Sequence, residues 1–116
     1  MQIVPSAWVK ESTALHWRAV DMVSRKGQIG YAYMWWKPSE GRKGPEWVDS
    51  YLAYGKWEQF ILGLPTIDTV IVHQRAIVDE FLIAFNLGAT AVTPAGGEFT
   101  DADFLAIADT VLAARI

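Results

Sequence analysis

Cysteine is absent from this chain of 116 residues, which excludes disulfides and thiolate-held metals. That absence fits a reducing compartment, and a cytoplasmic location is expected. A basic excess is missing too: ten Lys and Arg against thirteen Asp and Glu give a formal net charge of −3. Binding to nucleic acid through bulk electrostatics is therefore disfavoured. Only two histidines occur, His16 and His73. Neither stands in a His-x-x-x-His or Glu-x-x-His spacing, so no zinc site is expected.

Long apolar runs are also lacking. The longest uncharged stretch, Phe81 to Gly97, is broken by Asn86, Gly88, Pro94 and the pair Gly96-Gly97, so no membrane span is expected. Met1-Gln2-Ile3-Val4-Pro5 has neither the basic nor the apolar region of a secretory leader. No repeat or low-complexity tract divides the chain, and residues 1–116 are expected to form one domain. A chain of this length buries roughly two-thirds of its unfolded surface, enough for a conventional core.

Compact chemical motifs are absent as well. No Gly-x-Ser-x-Gly or Ser-x-x-Lys nucleophile motif occurs, and Gly41-Arg42-Lys43-Gly44 lacks phosphate-loop spacing. Glu98, Asp101 and Asp103 lack the glycine and closing glutamate of a calcium loop. No catalytic residue, metal or cofactor is assigned on these grounds.

What the chain does have is apolar area. Hydrophobic residues make up 52%, with six Trp, four Tyr and five Phe, and mean hydropathy is +0.15. A small domain has little interior, so part of this surface must lie near the outside, where a partner would cover it.

Trp8, Leu15 and Met22 recur at helical spacing, which predicts a first helix capped by Ser6 or Ser12 and stopped at Gly27. Ile29 to Trp36 reads as the central strand, rich in aromatic and small residues. On that reading Ile29, Tyr31, Tyr33 and Trp35 share one face, and Gly30, Ala32, Met34 and Trp36 the other. Pro38 to Gly44 reads as a loop. Pro45, at a first helical position, and the spacing of Trp47, Tyr51 and Tyr54 predict a helix over about 46–62. Residues 67–87 read either as one helix, apolar on most sides, or as a short strand at 69–72 followed by a helix. Thr90 to Thr93 and Gln2 to Val4 are further short strand candidates. Thr100 caps the last helix, with Asp101 and Asp103 in its first turn and Phe104, Ile107, Ala108, Val111 and Leu112 on its apolar side.

The fold expected from these elements is α+β, with three to four helices packed on a small sheet centred on residues 29–36. The expected function is non-enzymatic: a protein–protein interaction or assembly role, with self-association or a protein partner. An accessory or structural component of a virus or mobile element would fit that description. The expected interface or ligand platform comprises Tyr31, Tyr33, Trp35, Trp36, Ile77, Phe81 and Phe85, because aromatic residues combine area with a polar tip. Two alternatives remain beside it. One is a small ligand-binding module or enzyme with an aromatic pocket lined by His73, Glu80, Tyr31 or Tyr33. On a continuous helix those two lie about 10.5 Å apart along the axis, too far for direct pairing. The other is a nucleic-acid module in which Lys37, Arg42 and Lys43 flank stacking rings.

Overall fold

The chain folds, in a computed structural model that describes residues 2–19, 29–55, 58–74 and 99–115, as a five-stranded antiparallel meander with two helices among the described residues. Helix α1 spans Ser6–Thr13. Strands β1 (Gly30–Tyr31), β2 (Trp36–Lys37), β3 (Tyr51–Gly55), β4 (Gln59–Leu64) and β5 (Thr69–His73) lie side by side in chain order, and helix α2 spans Asp101–Ala113. Three one-turn 3-10 helices, Pro38–Glu40, Pro45–Trp47 and Pro65–Ile67, each open on a proline, whose fixed φ suits a first turn and whose missing N–H costs nothing there.

This corrects the expectation of three to four helices on a small sheet. The predicted helix over 46–62 is instead a single 3-10 turn followed by β3 and most of β4. Asp49, at φ 58°, turns the chain out of the helical path. Beyond it, Phe60, Leu62 and Leu64 are buried while Ile61 between them is exposed, the alternation of a strand with one covered face. The predicted central strand over 29–36 is a hairpin: β1 and β2 pair Gly30 with Lys37 and Tyr31 with Trp36. The chain reverses at Tyr33-Met34, with Met34 at φ 66°. Tyr31 and Trp36 therefore share a face instead of lying on opposite ones.

Other expectations resolve more simply. The first helix stops at Thr13, and Leu15 follows in extended chain; Met22 and Gly27 lie outside the described residues. Of the two readings for 69–72 the strand is the one found, as β5, whereas Thr90 to Thr93 lie outside the described residues. Gln2 to Val4 form no strand. Helix α2 begins as predicted. Thr100 Oγ1 accepts from the Asp103 amide at 3.2 Å, and the Asp103 carboxylate accepts from the Thr100 amide at 2.9 Å, a reciprocal capping box. The Thr100 amide foremost, and next the Thr100 hydroxyl at 2.9 Å, donate to that carboxylate and hold the Asp103 carboxyl below its usual range. Its buried side is Phe104, Leu105 and Ala108, with Ile107 and Val111 exposed.

The chain forms two compact units, Met1–Tyr54 with Ile61–Val72, and Gly55–Phe60 with His73–Ile116. Buried apolar side chains of the first include Ile29, Ala32, Trp47, Leu52, Leu62 and Leu64. Gly30 is needed there for close approach, since a Cβ would lie 2.9 Å from the Trp17 carbonyl oxygen. In the second unit Phe60 and Phe104 stack at 4.7 Å with planes 6° apart, beside buried Leu105 and Ala108.

Lys37, in the first unit, is a buried cation, 3% exposed. Its Nζ donates to the Asp49 carbonyl at 3.2 Å. Burial pushes its ammonium below the usual lysine range, and the Asp49 charge offsets this only in part. Unfolding lets this group take up a proton more readily. The native state accordingly carries a penalty that is full below the folded pKa and fades as pH rises towards the unfolded value of 10.5. A Lys37→Met variant should lack this pH dependence. Its stability relative to wild type is expected to fall between pH 7 and pH 10, measured by urea unfolding. A constant difference would show that the Lys37 ammonium carries no burial penalty.

Candidate interaction surface

Six aromatic rings form a continuous row in the first unit, built by α1, the extended segment after it and the β1–β2 hairpin. Trp8 lies 6.1 Å from Tyr33, centroid to centroid. Tyr33 stacks flat on His16 at 4.2 Å, with planes 3° apart. The row continues from His16 to Trp17 at 6.0 Å, to Tyr31 at 6.1 Å and to Trp36 at 4.6 Å.

Backbone pairing sets this order. The amides of His16 and Trp17 donate to the Tyr31 carbonyl at 3.0 and 2.9 Å, and the Tyr31 amide returns a bond to Trp17 at 2.8 Å. The segment after α1 thus extends the sheet beyond β1 by one bridge. With Tyr31 opposite Trp36, residues 17, 31 and 36 become cross-strand neighbours on one face, where aromatic pairs stabilise a sheet. The Tyr33 amide donates to the Ser12 carbonyl at 3.2 Å, holding the hairpin tip against the end of α1.

The row is partly open to solvent: Trp8 is 53% exposed, Trp17 49% and Tyr33 40%, while Tyr31 and Trp36 are half-buried. Among the described residues, the Glu11 carboxylate borders the row and accepts one bond from it. Tyr33 donates its hydroxyl to Glu11 Oε1 at 3.3 Å, and His16 Nε2 lies 4.0 Å from the same oxygen. His16 Nε2 also lies 2.8 Å from the Glu11 carbonyl. A carbonyl only accepts, so that nitrogen carries hydrogen.

Of the expected platform, Tyr31, Tyr33 and Trp36 fall in this row. Trp35 turns away to meet Tyr51 edge-on at 5.0 Å. Ile77, Phe81, Phe85 and Glu80 lie outside the described residues. Trp8, His16, Trp17 and Met34 belong to the surface but were not among its expected members. Trp8 reads as part of a helical stripe with Leu15 and Met22, and Met34 as mid-strand.

The basic trio does not form a shared charged surface. Lys37 is buried, the Arg42 guanidinium lies 5.0 Å over the Trp47 ring, and Lys43 is exposed. His73 sits in the second unit, where its Nδ1 donates to the Glu58 carbonyl at 3.0 Å. Its ring stacks on Phe99 at 4.4 Å, and the Glu58 carboxylate accepts from the Phe99 amide at 2.9 Å. This arrangement latches Phe99 beside the Phe60–Phe104 stack. Among the described residues no group of three His, Asp or Glu side chains is placed to hold a metal, and no helix is long and apolar enough to cross a membrane. Compared with protein-family models, curated proteins and solved structures, the chain has no match.

Proposed function

We propose that this chain is a non-enzymatic assembly protein that associates with copies of itself through the aromatic row of its first unit. The exposure of Trp8, Trp17 and Tyr33 in one connected surface carries the reading. Exposed Trp and Tyr in a cluster are what interface centres are made of, since each ring removes a large area from water at small entropic cost. A net charge of only −3 opposes association weakly. Lys37, withdrawn into the fold, supplies no surface charge for a nucleic-acid backbone.

The test is light scattering across a concentration series. The mass is expected to rise from 12.9 kDa to a multiple of it. A 12.9 kDa species throughout would overturn self-association.

A further inference from the structure

We draw no further inference here: the strongest candidate, the apolar last strand of the sheet, β5, with Val70 and Val72 exposed, carries nothing, because nothing in the structure shows what covers it.

Discussion

Replacing Phe60 with alanine is expected to lower stability by about 3–5 kcal/mol, the range for a fully buried phenylalanine. The side chain is 1% exposed. Its ring stacks on Phe104 at 4.7 Å and meets Phe99 edge-on at 6.0 Å and His73 at 5.9 Å. Truncation forfeits the transfer energy of the ring, leaves a void that flat aromatic neighbours fill poorly, and removes an aromatic pair worth about 0.5–1.5 kcal/mol beyond its area. A small domain has only about 5–15 kcal/mol to lose, so the urea midpoint should drop sharply. Phe104→Ala removes the other half of the same stack. The double variant should therefore lose less than the sum of the two, because neighbours in contact are not additive. A loss below about 1 kcal/mol for Phe60→Ala would mean that the stack is not part of the stable core.

Gly63→Ala is the second large effect, and its sign is the informative part. Alanine in place of glycine in a strand ordinarily gains about 0.5–1 kcal/mol from reduced backbone entropy. In β4 the opposite is expected, a loss of about 2–3 kcal/mol, because a Cβ on Gly63 would fall within the ring of Tyr51 on β3. Tyr51 is itself held edge-on by Trp35, so it has little room to withdraw. The Tyr51→Ala background should relieve the clash and make Gly63→Ala neutral or stabilising. Thermal melts of the four proteins measure this coupling. Equal stability of Gly63→Ala and wild type would show that the Tyr51 ring does not lie over the glycine.

Phe60 falls where the sequence reads as helix and Gly63 just past the end of that stretch, and the reason is physical. A meander is usually announced by Asn-Gly or Asp-Gly turns. Among the described residues, the left-handed non-glycine ones at the reversals are Met34, Glu58 and Asp68, with Asp49 ahead of β3. None sits in such a dipeptide, so the hairpins carry no turn signature. The spacing of Trp47, Tyr51 and Tyr54 imitates a helical stripe, yet only Trp47 of the three is buried. The alternation of Phe60, Leu62 and Leu64 was present in the same segment as the truer signal. Tyr51 over Gly63 shows what decides between the two patterns, because that contact exists only once β3 and β4 pair.

By itself the sequence determined the start of α2, through Thr100 and Asp103, because a capping box joins groups three residues apart and needs no other part of the chain. It placed Pro38 to Gly44 outside strand and α-helix through its local proline and glycines, although Pro38–Glu40 closes into a 3-10 turn. It also implied apolar area beyond what a small core holds, with Tyr31, Tyr33 and Trp36 among the rings involved. Only the tertiary structure decided that β1 and β2 fold back on each other. That reversal places Tyr31 beside Trp36, brings Tyr33 onto His16 and leaves Met34 at the tip. Such contacts join residues up to 25 positions apart, from Trp8 to Tyr33, and depend on pairing registers that no local periodicity encodes.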